Sequence, residues 1–270
     1  MSPADDPASL LDLALATARE AGELVSSMRS QGVDVAGTKS STVDIVTEAD
    51  RACEDLILRR LLGARPDDGF LGEEGGDVAS TSGVTWVVDP IDGTVNYLYG
   101  LPHYAVSIAA MKEGQIVAGV VRGPRLDVEY AATLGGGATL NGEPVRVRDS
   151  PPLDQVLVAT GFNYEASIRE RQGQAMARML PQVRDIRRLG SCALDVCAVA
   201  SGQCDAYVEE GAHLWDYAAG GLVAAEAGAR FEVWTTSADR DLVVCAPAAG
   251  WEAFSTLVRS SGFVGDSPSS

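Results

Sequence analysis

Two aspartates flank a proline in Trp86-Val-Val-Asp89-Pro90-Ile91-Asp92-Gly93-Thr94-Val95-Asn96-Tyr97, where an apolar run stops. Pro90 fixes one φ angle, and Gly93 removes the side chain where a ligand could meet backbone N–H groups. Carboxylates held in such a turn can converge on a divalent cation. A short helix starting near Thr94 would then aim its N-terminus at an anion. A polar strand-to-helix turn uses the same residue types, so the stretch needs company. Glu73 and Glu74 sit between glycines in Gly72-Glu73-Glu74-Gly75-Gly76, after a second apolar run, where a solvated acidic loop reads equally well. Asp216 precedes the small-residue run Tyr217-Ala218-Ala219-Gly220 of a close-packing helix, where it also fits as an N-cap.

These acids need elements to deliver them. Asp6-Pro7 starts a long first helix whose apolar face carries Leu11, Ala14, Leu15, Ala18, Gly22, Val25 and Met28. Thr47-Glu-Ala-Asp50 has the capping pattern for a second helix, with Ala49, Cys53, Leu56, Ile57 and Leu61 as its stripe. A hairpin is predicted between them at 33–46. Strands at 69–71 and 84–88 lead into the two acidic clusters. Strands at 104–111, 115–121 and 128–133, with the Asn141-Gly142 turn, complete a large antiparallel sheet. After Pro151-Pro152 the texture alternates, with strands at 156–160, 183–189, 205–208, 231–234 and 242–245. Helices fall at 166–180, 191–200 and 216–227, before a last helix. The division is therefore an α+β half, 1–150, and an α/β half, 151–270, with a tail at 265–270 expected to fray.

The chain of 270 residues, 46% hydrophobic and 22% charged, can bury a sizeable core as one large domain or two packed halves. Its 38 acids against 21 Lys and Arg leave a net charge of −17, which repels a nucleic-acid backbone and excludes direct binding to it. Five cysteines, odd in number and without a Cys-x-x-Cys pair, argue against a disulfide framework or zinc site. The acidic start and the lack of an apolar run near ~20 residues imply a soluble, cytoplasmic protein away from the membrane.

Gly72-Glu73-Glu74, Asp89-Pro-Ile-Asp92-Gly-Thr94 and Trp215-Asp216-x-Ala-Ala-Gly220, in that order, resemble the signatures of the inositol monophosphatase family. Lys39-Ser-Ser, Val46-Thr47-x-x-Asp50, Gly190-Ser191 and Asp205-Ala-Tyr-x-Glu209 also stand at family positions, so the likeness runs from about Lys39 to Gly228. Val84-Thr-Trp-Val-Val-Asp89 and Arg188-x-Gly190-Ser-x-Ala-Leu-Asp195-x-Cys197 resemble the bacterial SuhB-type branch, of actinobacterial kind. The resemblance implies a five-layer αβαβα sandwich of the inositol monophosphatase and fructose-1,6-bisphosphatase type. It implies a homodimer whose substrate is a small phosphate monoester, with myo-inositol 1-phosphate expected.

It further implies that Glu73, Asp89, the Ile91 carbonyl, Asp92 and Asp216 bind two or three Mg²⁺ ions, and that lithium inhibits. Carboxylates, a carbonyl, water and phosphate suit this hard cation. Paired ions can both activate water and stabilise a leaving alkoxide. Thr94, bonded to Asp50, and Glu73 would orient the water, although Asp50 and Thr47 also fit a simple capping box. The amides of Gly93 and Thr94 would hold phosphate. Asp92, Gly190, Ser191, Cys192 and Glu209 would face the polyol. Lys39 would stand near the metal-bound waters, where a solvated lysine is equally credible, and His213 invites a role that metal-activated water does not require. Cys192 departs from the common Ala, and Tyr97 from the common Phe. Histidinol phosphate, fructose 1,6-bisphosphate, NADP and 3′-phosphoadenosine nucleotides are alternative substrates, with Arg187 and Arg188 the ambiguous neighbours. A SuhB-like role in transcription is a different class of reading.

Overall fold

The computed structural model of the chain describes residues 6–32, 35–38 and 45–264. Helix α1, Pro7–Gln31, begins with proline in its first turn and buries Leu10, Ala14, Ala18, Ala21 and Val25 at helical spacing. Strands β1, Val35–Thr38, and β2, Ile45–Thr47, pair antiparallel as the expected hairpin. Lys39 and the tail at 265–270 lie outside the described residues. Thr47 caps α2, Glu48–Ala64, in a reciprocal box with Asp50.

A seven-stranded sheet follows, in the order β3-β4-β5-β6-β7-β8-β9. Its strands are β3 (Gly69–Gly72), β4 (Val84–Asp92), β5 (Ala105–Lys112), β6 (Gln115–Gly123), β7 (Val128–Thr133), β8 (Gly137–Leu140) and β9 (Glu143–Val145). The short helix α3, Thr94–Tyr99, leaves the end of β4. All neighbours in this sheet are antiparallel except β3 and β4, which run parallel with Gly72 opposite Val88. The strand pattern predicts a large antiparallel sheet and does not anticipate this one parallel pair at its edge. The chain between the two strands, 73–83, is long enough to return to the starting end before β4 begins. Parallel pairing brings the C-terminal ends of both strands to one edge, so Glu73 emerges beside Asp89.

The second sheet has the order β11-β10-β12-β14-β13. It is formed by β10 (Leu157–Thr160), β11 (Asp185–Arg187), β12 (Ala206–Glu210), β13 (Ala229–Thr235) and β14 (Asp241–Pro247). Strand β11 is shorter than the span at 183–189, because it is an edge strand with Asp185 and Arg187 exposed. Helices α4 (Ala166–Met179) and α7 (Trp251–Ser260) cover the outer face of this sheet, and α5 (Cys192–Ala200) and α6 (Leu214–Glu226) lie between the two sheets.

Three apolar cores bind these layers: α1 and α2 on the first sheet, α5 and α6 between the sheets, and α4 and α7 on the second. The result is the five-layer αβαβα sandwich. Small residues let a helix of the middle layer approach the first sheet closely. A Cβ on Gly119 would lie 3.0 Å from the Ala219 Cα, so β6 and α6 approach closely only with glycine there. Among the described residues no helix is long and apolar enough to cross a membrane.

Candidate active site

Asp89 and Asp92 are three positions apart and would face opposite sides of a regular strand. A register shift between them corrects this: Asp89 pairs with Ser107 and Asp92 with Ala105, so β4 carries one extra residue against β5. Pro90 has no N–H to continue the ladder, and the Ile91 N–H turns back to Asp89 Oδ1 at 2.9 Å. The bulge returns both acids to one cavity of about 680 Å³, which Glu73, Ile91, Gly93, Thr94 and Asp216 also line. Gly93, at φ +96°, could carry no side chain, because a Cβ would meet the Gly190 carbonyl at 2.9 Å and the His103 carbonyl at 3.0 Å.

The opposite wall comes from the second half of the chain. Ser191 caps α5 by accepting from the Leu194 N–H, and its Oγ donates to Asp92 Oδ2 at 2.5 Å. The Ala193 N–H reaches the same oxygen at 2.7 Å. Asp92 therefore ties the first sheet to the start of α5. Asp216 enters from the first turn of α6, where its Oδ2 accepts the His213 N–H at 2.7 Å. This is the N3 position of a capping box, one turn inside the N-cap role considered above. The partly buried Glu209 lies on β12, with the Tyr207 hydroxyl donating to its Oε2. Gly161 passes so close that a Cβ would fall 2.0 Å from that carboxylate.

Gathering so many acids is electrostatically costly. Burial, then the charges of Glu73, Asp92 and Asp216, push the Asp89 carboxyl well above the usual range, and Asp89 and Glu73 are in hydrogen-bonding contact. Burial raises Asp92 to about 7 and Glu209 to about 7. Asp216 is raised by burial and by Glu73 and Asp92. As the side chains stand, no three His, Cys, Asp or Glu among the described residues close tightly around one point for a metal ion. The oxygens that accept from Ile91, Ser191, Ala193 and His213 are turned toward protein donors instead. The donor set nevertheless fits a hard divalent cation: all oxygen, strongly anionic, and carrying repulsion that a cation would relieve.

Asp50 and Ser191 stand behind the cavity wall. Asp50 Oδ2 accepts from the Thr47 N–H at 2.7 Å and the Thr47 hydroxyl at 2.5 Å, while Oδ1 accepts from Thr94 Oγ1 at 3.1 Å. The capping box and the contact with Thr94 therefore coexist. Burial lifts this carboxyl to about 6. Gly190 and Cys192 line the cavity, the Cys192 thiol in hydrogen-bonding contact with Tyr207. His213 also lines it, its exposed ring stacked at 5.0 Å on Trp215. His103 contacts Asp195 instead, at 3.1 Å.

Tyr207, which holds Glu209, and Gly161 and Arg240, which line the cavity, are not among the residues that the sequence points to. The i, i+2 spacing of Tyr207 and Glu209 on a strand was the available signal for the first. Of the ambiguous arginines, Arg188 lines the cavity and Arg187 turns away to Asp185 at 2.6 Å. A second concavity of about 760 Å³, between α1 and the first sheet, is dominated by the Arg19–Glu129 pair at 2.7 Å and holds none of these acids.

The model of the inositol monophosphatase family matches residues 6–261. The chain is 45% identical over 267 residues to inositol-1-monophosphatase SuhB of Mycobacterium tuberculosis, with 92% of each chain covered. The solved structure of Mycobacterium tuberculosis SuhB is similar at a TM-score of 0.83 and 41% identity, over 95% of this chain and 98% of that one. The extragenic suppressor protein suhB from Bartonella henselae is similar at a TM-score of 0.85 and 31% identity, over 94% and 98%.

Proposed function

The chain belongs to the inositol monophosphatase family, and we propose that it hydrolyses myo-inositol 1-phosphate and related inositol monophosphates to inositol and orthophosphate, using Mg²⁺. The observation that carries this reading is the convergence of Glu73, Asp89, Asp92 and Asp216, from three separate stretches of chain, on one cavity. Glu73, Asp89, the Ile91 carbonyl, Asp92 and Asp216 would hold two or three Mg²⁺ ions. Bound there, such ions offset the charge of the phosphate and lower the pKa of water.

The protein's own groups do the rest. The Thr94 hydroxyl lies 3.1 Å from both Asp50 Oδ1 and the Ile91 carbonyl; with its single proton donated to Asp50, its lone pairs are left to accept from the attacking water. Asp50, ionised above about pH 6, accepts the Thr94 hydroxyl proton as Thr94 takes one from the attacking water, so the proton comes to rest on Asp50. Glu73 accepts from the same water. The amides of Gly93 and Thr94 face the phosphate oxygens. Glu209, held by Tyr207, accepts from ring hydroxyls next to Gly190 and Cys192. Water attacks phosphorus as the P–O bond to inositol breaks, and the departing inositol oxygen takes a proton from a second water, so no phosphoenzyme forms.

The protein works as a cytoplasmic homodimer, a reading supported by its five buried free cysteines and by Tyr99 and Leu101, exposed at 75% and 52%. Rates should be compared across myo-inositol 1-phosphate, histidinol phosphate, fructose 1,6-bisphosphate, NADP and a 3′-phosphoadenosine nucleotide. Inositol 1-phosphate is expected to have the highest kcat/KM. EDTA should abolish turnover, Mg²⁺ should restore it, and Li⁺ should inhibit. Activity that persists in chelator, or preference for another substrate, refutes the reading.

A further inference from the structure

Glu54 is only 6% exposed, yet no step described above uses it. It lies on α2 four residues after Asp50, hence on the same face of the helix. Its two carboxylate oxygens are both occupied by one loop: Oε2 accepts the Glu74 N–H at 2.8 Å and Oε1 the Gly76 N–H at 3.1 Å. The loop wraps bare backbone around this carboxylate. A Cβ on Gly72 would lie 2.3 Å from Glu54 Oε2, and one on Gly76 would lie 3.0 Å from Oε1. The gripped segment is the one that carries Glu73, whose own N–H donates to the Val88 carbonyl at 3.2 Å, next to Asp89.

Burying this charge is unfavourable. Burial, with the nearby charges of Glu74 and Glu73, raises its pKa, and packing alone would be better served by an apolar side chain. We propose that Glu54 is a positioning residue, which holds the Gly72–Gly76 loop so that the Glu73 carboxylate faces Asp89 at the distance a shared divalent cation requires. The inference rests on the reading of Glu73 as a metal ligand. One helix face thereby sets both partners of the chemistry, with Asp50 bonded to Thr94 and Glu54 bonded to the loop of Glu73.

The test is Mg²⁺ titration calorimetry on the full chain and its Glu54→Gln, Glu54→Ala and Glu73→Gln variants, with melting of each metal-free protein and the Mg²⁺ dependence of hydrolysis. Gln keeps the size of Glu54 but can accept from only one of the two amides. Glu54→Gln is expected to weaken Mg²⁺ binding about tenfold, within the range for residues that orient metal ligands, while the metal-free Tm stays close to that of the parent. The Mg²⁺ concentration for half-maximal hydrolysis should rise in parallel. If Glu73→Gln weakens binding and Glu54→Gln does not, the positioning role is overturned and the ligand assignment stands. If Glu73→Gln leaves binding unchanged, the ligand assignment falls and the inference falls with it. A lower Tm with unchanged Mg²⁺ affinity in Glu54→Gln marks a purely structural residue and also overturns the proposal; that variant decides the matter should Glu54→Ala fail to fold.

Discussion

The Thr94 hydroxyl lies 3.1 Å from Asp50 Oδ1, although the two residues are 44 positions apart and belong to different helices. This bond joins the start of α2 to the turn that follows β4. It makes the Asp50 carboxylate both a helix cap and the terminus of a path from the cavity.

Removing the hydroxyl should therefore impair catalysis more than folding. Thr94→Ala is expected to lower kcat by about 10²-fold, the scale of a lost proton-transfer partner, and Thr94→Ser should restore most of it. Steady-state kinetics with inositol 1-phosphate and circular dichroism of both variants check this. Equal kcat in Ala and Ser variants would remove Thr94 from the mechanism.

Asp89→Asn should abolish turnover, by at least about 10²-fold, without unfolding the chain. The carboxyl it replaces is buried among Glu73, Asp92 and Asp216, which oppose its ionisation, so the variant's metal-free Tm should equal or exceed that of the parent. Melting in EDTA measures the stability. Near-normal turnover would contradict the site.

The acidic cluster also sets a pH dependence. Burial pushes the Glu209 carboxyl up to about 7 and that of Asp50 up to about 6 in the folded chain, against values near 4 for exposed carboxyls. A raised folded pKa means that the native state holds the proton more tightly than the unfolded chain. The stabilisation is complete below about pH 4 and is lost as pH rises through 6 to 7. Metal-free protein should thus lose about 3–6 °C of Tm between pH 5 and pH 8, as calorimetry can measure, and Mg²⁺ should flatten the slope. A metal-free Tm that rises over this interval would disprove the assignment.

His213→Ala should reduce kcat by no more than about threefold, because a catalytic base contributes far more. What the site uses at this position is the backbone N–H that donates to Asp216, and alanine retains it. A bell-shaped pH–rate profile that loses one limb in the variant would identify the ring as the base instead.

Much of this protein was legible along the chain. Thr47 and Asp50 announce the start of α2 because capping is a contact over three residues. Gly93 marks its turn because positive φ excludes side chains locally. The acidic motifs and their order were enough for the family resemblance, and Glu73, Asp89, Asp92 and Asp216 of those motifs line the cavity.

Tertiary structure decided the rest. Hydrophobic periodicity does not state a strand's direction, so the parallel pairing of β3 with β4, which sets Glu73 beside Asp89, could not be read from it. Nor could the bulge between Asp89 and Asp92, since an extra residue exists only relative to the partner strand. The bond from Ser191 to Asp92 spans 99 positions, and the grip of Glu54 on the Glu74 and Gly76 amides about 20. Local preference determines which elements form and where acids stand at their ends. Which ends meet is determined by how layers bury their apolar faces against one another, and that depends on the whole chain at once.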